Sequence, residues 1–144
     1  MDLSKFTERA RGFVQAAQTI ATRDDHQRMV PEHILKALLD DDQGLAANLI
    51  NASGGDTAKV VDALDLAMGK QPKVSGDAQV YLDSTTVKVL GEAEALAKKA
   101  GDSFVPVERV LMALCMVKSG AKTALEAGNV TAQGLNAAIN DVRK

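Results

Sequence analysis

The chain has no tryptophan, one tyrosine and three phenylalanines, and aromatic residues make up 3% of it. Its core must therefore be built from Leu, Ile, Val, Ala and Met, and an Ala-rich core without large rings favours closely packed helices over a sheet. A single cysteine, Cys115, excludes an internal disulfide and any multi-cysteine metal site. Placed on the apolar side of a helix, it reads as a buried, inert thiol rather than a nucleophile. No apolar run reaches 18 residues and no signal-peptide apolar region opens the chain, so neither a membrane span nor a membrane partner is expected. The expected setting is soluble, reducing and cytoplasmic. An excess of one charge is also lacking: the formal net charge is −2, and no basic face is clustered as nucleic-acid binding requires.

Catalytic motifs are missing as well. Gly120-Ala121-Lys122-Thr123 resembles the tail of a phosphate loop, but Ala121 separates the Gly from the Lys. Cys115 stands where the earlier glycine belongs, and no strand precedes it. Gly69-Lys70 is followed by Gln71 and fails likewise. The two histidines, His26 and His33, lie seven residues apart, without the i, i+4 spacing of a helical metal site. His33 reads as a surface or helix-packing residue, and no Ser-centred elbow is present. The chain itself is expected to be a binding domain rather than an enzyme, with no catalytic residue, no metal and no cofactor.

What the sequence does contain is an internal repeat. Pro31 to Leu39 recurs 76 residues later as Val107 to Cys115, with Glu32/Glu108, Ile34/Val110, Leu35/Leu111, Ala37/Ala113 and Leu38/Leu114 matched. The same offset pairs Ala17 with Ala93 and Ile20 with Leu96 upstream, and Gly44 with Gly120 and Leu49 with Leu125 downstream. One slipped residue in a later loop then aligns Val60, Leu64 and Ala67 with Leu135, Ile139 and Val142. The matches fall mostly on apolar positions that would face a core.

Each half reads as four helices. Ser4 or Asp2 can cap the first, whose apolar positions Phe6, Ala10, Phe13, Val14, Ala17, Ile20 and Ala21 share one face. Pro31 suits the first position of the second helix, and Asp40-Asp41-Asp42 opposes its dipole and stops it. A short third helix spans about 45–52. Asp56 caps a fourth, which Gly69 closes as a left-handed terminator. In the second half Asp83 caps helix five, with Val89, Leu90, Ala93, Leu96, Ala97 and Ala100 inward. Helix six starts at Pro106, helix seven follows Gly120, and helix eight follows Thr131 with Leu135, Ala138, Ile139 and Val142 inward. No stretch alternates at period two for long enough to argue a strand. The expected fold is all-α: one domain over 1–144, with repeat one at 3–69, a linker at 70–81 and repeat two at 82–144, related by pseudo-two-fold symmetry. A chain of this length buries roughly 70% of its unfolded surface, enough for a sizeable core.

The two halves differ in one informative way. Arg11, Arg28, Lys36, Asp40 and Asp41 become Val87, Phe104, Met112, Met116 and Val117 at the repeated positions. Burial between the halves is the expected role of the two methionines and Val117. For Phe104 and Val87 that burial and a face for apolar peptide segments stay open as alternatives.

With these residues in view, the chain resembles the N-terminal domain of a Clp-type AAA+ chaperone. Phe6-Thr7-Glu8-Arg9-Ala10 and Glu32-His33-Ile34-Leu35 are similar to the first Clp repeat, and Lys98 to Val105 followed by Glu108 to the second. Gln71 to Gly76 and Lys98 to Phe104 look more like the disaggregase branch, ClpB, than ClpA or ClpC. The resemblance implies a substrate-recognition module that captures unfolded or aggregated polypeptide and delivers it to an AAA+ ring. ATP and Mg would be needed only by the full-length hexamer, and an Hsp70-type system would be a partner of the parent protein. The module alone would be a monomer. It further implies a substrate site at Thr7, Asp102 and Glu108 beside an apolar groove with Leu90, Leu96, Phe104 and Val107. Glu92 and Arg109 stand where relatives can carry leucine, which implies a more polar groove. Helix capping is the alternative role for Thr7, Asp102 and Glu108. The alternative assignment is a ClpC- or ClpA-type docking domain for adaptors or phospho-arginine, with Glu32 and Glu108 receiving guanidinium groups.

Overall fold

A computed structural model of the chain describes residues 2–74 and 79–143. Among these it forms eight α-helices: α1 (Glu8–Arg23), α2 (Pro31–Leu39), α3 (Leu45–Ala52), α4 (Thr57–Gly69), α5 (Ser84–Lys99), α6 (Val107–Met116), α7 (Gly120–Ala127) and α8 (Ala132–Val142). Two strands of two residues each, β1 (Arg28–Met29) and β2 (Tyr81–Leu82), pair in parallel, with Met29 opposite Leu82. The helical expectation holds. The strands are the exception, being too short to show any alternation in sequence.

Side-chain oxygens start most of the helices. Thr7 Oγ1 accepts from the Ala10 N–H at 3.1 Å, Asp56 from Lys59 at 3.2 Å and Asp83 from Thr85 at 3.0 Å. Ser119 and Thr131 do the same for α7 and α8. Each satisfies an amide that the first helical turn leaves without a partner. The cap of α1 is thus Thr7, and Asp2 instead accepts from Ser4 in the turn upstream. Gly69 closes nothing: it is the last residue of α4, and Lys70 caps it in a right-handed conformation.

The repeat is visible in the backbone. Asp25 (φ 60°) ends α1 and Gly101 (φ 82°) ends α5 at the equivalent place. The His26 N–H returns to Ala21 O and the Asp102 N–H to Ala97 O, both at 2.9 Å. After α2 the spacing becomes 75 residues, since α3 starts at Leu45 and α7 at Gly120. The slip therefore lies before α3 and not after it, so Ile50 and not Leu49 is the counterpart of Leu125: Gly55 N–H bonds Ile50 O as Val130 N–H bonds Leu125 O.

The halves are interlocked. Thr7 N–H donates to Val105 O at 3.0 Å, and Asp83 N–H donates to Met29 O at 3.2 Å. Each half thus places the chain before its first helix against the chain before the other half's second helix. In the middle, α2 and α6 are buried along most of their length. One core joins Phe6, Ile34, Leu38, Leu64, Leu90, Leu111, Leu125 and Leu135, each contributing about 1.5–3 kcal/mol relative to exposure. Helix α4 packs on α7, where a Cβ on Gly128 would lie 2.4 Å from Val60 Cγ2. Ala100 and Val142, expected inward, are exposed because both helices end there.

The described part of the expected linker is anchored on the first half. Val74 N–H donates to Asp25 O at 2.9 Å, and Lys73 forms an antiparallel bridge with His26. Residues 75–78 of that linker lie outside the described residues. No helix among the described residues is long and apolar enough to cross a membrane.

Candidate functional site

The site grows from the end of α5. Gly101 turns the chain in the left-handed region, and the backbone of Asp102 is then fixed to Ala97. Its carboxylate receives Arg143 Nη1 at 3.1 and 3.3 Å and stands 3.8 Å from Arg109 Nε. Arg143 Nη2 lies 3.8 Å from Glu108 Oε1 in the first turn of α6. Asp102 is therefore no helix cap but the hub of a charge cluster joining α5, α6 and the end of α8. The outer pair with Arg143 is half exposed and contributes at most about 1 kcal/mol.

Arg109 is the unusual member, being 4% exposed. Its Nη1 donates to Asn136 Oδ1 at 2.9 Å and touches Met112 Sδ at 3.1 Å, whereas its buried Nε has no hydrogen bond. A buried guanidinium nitrogen left so is costly.

Clefts lie on both sides of the cluster. One, of about 540 Å³, is lined by Lys5, Glu94, Lys98, Asp102, Phe104 and Val105. The other, of about 460 Å³, runs between α5, α6 and α8 past Leu96, Arg109, Met112, Met116, Asn136 and Arg143. Apolar surface is left open around them. Phe104 is 57% exposed and Met116 42%, and Val87 is exposed too. Met112 is buried beside Arg109 in the cleft that α5, α6 and α8 of its own half form, and Val117 is half-buried, whereas Met116, expected between the halves, is exposed. Met116 ends α6, where it borders the second cleft.

The structure brings some expected site residues together and removes others. Thr7 caps α1 and holds Val105 through its N–H, so it stands beside the cleft that Asp102 and Phe104 line. Glu108 and Leu96 belong to the same region. Leu90 is 1% exposed and Val107 4%; both side chains lie in the core and offer no surface, because α5 and α6 turn those positions toward each other's interior. Glu32 and Glu108 are not a pair of open carboxylates. Glu32 is buried at the start of α7, where it accepts from Gln71 Nε2 at 2.9 Å, and burial raises its pKa. A Cβ on Gly120 would lie 2.7 Å from its Oε2.

Sequence reading missed Arg143 and Lys99, and it missed the contact between the two histidines. Arg143 and Lys99 sit near helix ends with nothing in their spacing to mark them. The histidines, seven apart, meet because the turn after α1 brings His26 back over α2: His26 Nδ1 and His33 Nε2 are 2.8 Å apart, both rings buried. Val30 N–H donates to His33 Nδ1 at 3.0 Å, which leaves the His33 proton on Nε2, donating to His26 Nδ1. The remaining His26 Nε2 proton is buried without a partner. Burial lowers the His33 pKa to about 4, with the neighbouring His26 adding to the effect. Burial likewise pushes the Cys115 thiol up to about 12, which keeps it protonated and unreactive. Among the described residues no three His, Cys, Asp or Glu side chains are grouped to hold a metal ion.

A family model described as the Clp repeat (R) N-terminal domain matches residues 5–128. The chain belongs to that family. It is 56% identical over 147 aligned residues to the chaperone protein ClpB of Mesorhizobium japonicum, across 100% of this chain. It spans 17% of the length of that relative. Among solved structures, the Hsp104 N-terminal domain from Candida albicans superposes with a TM-score of 0.83 at 16% identity, over 96% of this chain and 91% of that one. The N-domain of ClpV in complex with a VipB peptide gives 0.72 at 16% identity, over 94% and 87%. The region of the ClpB relative that aligns with this chain is thus matched as a Clp repeat N-terminal domain.

Proposed function

We propose that this domain captures unfolded or aggregated polypeptide on the α5–α6–α8 face and hands it to the AAA+ ring of its parent chain. The observation that carries the reading is apolar surface left uncovered around a charge cluster. Phe104 and Met116 are exposed where the other half carries Arg28 and Asp40, and they border the two clefts on either side of Asp102. Leu96 and Met112 add apolar wall, while Thr7, Asp102 and Glu108 supply polar groups at the rim. Contacts of this kind are weak and reversible, which suits a module that must release what it captures. The ClpV N-domain bound to a peptide supports polypeptide binding on this fold by analogy.

ATP and Mg would act in the parent's ATPase modules, and an Hsp70-type system would cooperate with the hexamer in the cytoplasm. Adaptor or phospho-arginine docking through paired glutamates gains no support, since Glu32 is enclosed. Fluorescence anisotropy with a labelled, permanently unfolded polypeptide tests the reading. Saturable binding that weakens several-fold in Phe104→Ser and Met116→Ser is expected. No binding by the parent domain, or full affinity in both variants, contradicts it.

A further inference from the structure

The second cleft has a charge character that its apolar wall does not require. Its lining includes Lys99, Arg109 and Arg143 and not one carboxylate, in a chain whose net charge is −2. Asn136, Asn140 and Gln133 line it with amides. Arg109 is the decisive group. Of its guanidinium nitrogens only Nη1 makes hydrogen bonds among the described residues, and Nε is buried without one. Asp102 stands close enough to Nε to hold the guanidinium by charge but, at 3.8 Å, too far to bond it. Lys99 is exposed at the rim and has no ion-pair partner among the described residues. Beside these cations Leu96, Met112 and the half-open Met116 form an apolar, adaptable wall.

We infer that this cleft selects polypeptide segments in which an apolar side chain lies close to a carboxylate, and that Arg109 sets the preference. The inference rests on the polypeptide-binding reading above and names the class of segment taken. The apolar side chain enters against Leu96 and Met116. The carboxylate approaches the Nη2 edge of the guanidinium, since Nη1 is held by Asn136 and Nε is buried toward Asp102, with Lys99 adding attraction from the rim. Asp102 acts as a positioning residue, holding Arg143 through both its oxygens and keeping Arg109 oriented. An arginine fork pairs with a carboxylate more strongly than with a neutral amide, and more so where water is partly excluded. Basic segments are disfavoured mainly by Lys99, because Asp102 and Glu108 offset much of the charge of Arg109 and Arg143.

The test uses matched short peptides carrying a Leu-Phe pair flanked by Asp and Glu, by Asn and Gln, or by Lys, titrated into the domain at low salt. The acidic peptide should bind about tenfold more tightly than its amide counterpart, and the lysine peptide more weakly than both. The Arg109 Nε–H resonance should move on adding the acidic peptide. Arg109→Leu should abolish the acidic preference while the amide peptide keeps its parent affinity within about twofold. Should that variant fail to fold, Lys99→Gln, an exposed change, should narrow the preference about two- to threefold. Equal affinity of the acidic and amide peptides for the parent domain overturns the inference and leaves the polypeptide-binding reading intact. Failure of every peptide and of an unfolded polypeptide to bind overturns both.

Discussion

The Thr7 N–H donates to the Val105 carbonyl at 3.0 Å, and the same bond recurs one repeat away between Asp83 and Met29 at 3.2 Å. Each half thereby completes the entry to the other's second helix. Residues 1–70 and 78–144, expressed separately, should each lose cooperative unfolding and much of their helix. Mixing them should restore helical circular dichroism. Two halves that melt cooperatively alone and do not associate would contradict this interlocking.

Stability should fall in mild acid. The His33 pKa is lowered from 6.5 to about 4 in the folded chain, so the unfolded chain binds the extra proton first. The contribution is fully present above about pH 6.5 and is lost as pH falls through the window toward 4, by up to about 3 kcal/mol. Glu32 acts in the opposite sense: its raised pKa favours folding where the carboxyl is protonated, an advantage lost as pH rises. Urea titrations between pH 4.5 and 7.5 should show the acid loss flattened in His33→Gln and steepened in Glu32→Gln.

Two glycine substitutions should have opposite signs. Gly12 lies within α1 with open space where a Cβ would project, so Gly12→Ala should stabilise by about 0.5–1 kcal/mol. At Gly128 the Cβ would lie 2.6 Å from Asp56 O as well as against Val60. Gly128→Ala should destabilise by about 1–3 kcal/mol through the α4–α7 contact. Thermal melts of both variants check the pair.

Core and site residues should separate in a binding assay. Leu90→Ser should cost several kcal/mol, since that side chain is fully buried. Asp102→Ala should cost about 1–3 kcal/mol in stability, since the buried Arg109 loses its neighbouring carboxylate, and should weaken binding of an unfolded polypeptide several-fold, because Arg143 and Arg109 lose their anchor. An unchanged affinity with a lowered melting temperature would reduce Asp102 to a structural ion pair.

The sequence carried the helices because their signals are local: Asp56, Asp83 and Thr131 cap where their residue types predict, and Pro31 opens α2. The repeat signalled the symmetry because core positions recur on matching helix faces. It did not signal the strands, where one residue pair from each half suffices, nor where Asp2 would yield to Thr7 as a cap. The site was legible only in part. Loss of charge marked Phe104 and Met116, but depth within α5 and α6 was invisible, so Leu90 and Val107 looked like groove walls. The meeting of Arg109 with Asp102, Asn136 and Arg143 depends on how α8 packs on α6, a long-range event that spacing along the chain does not encode.

A chemical-shift perturbation map of the domain with a permanently unfolded polypeptide tests the central claim most directly. Shifts concentrated at Leu96, Asp102, Phe104, Arg109 and Met116 are predicted. A map that leaves these residues unmoved and clusters around Glu32, Gln71 and Ser119 would contradict the account.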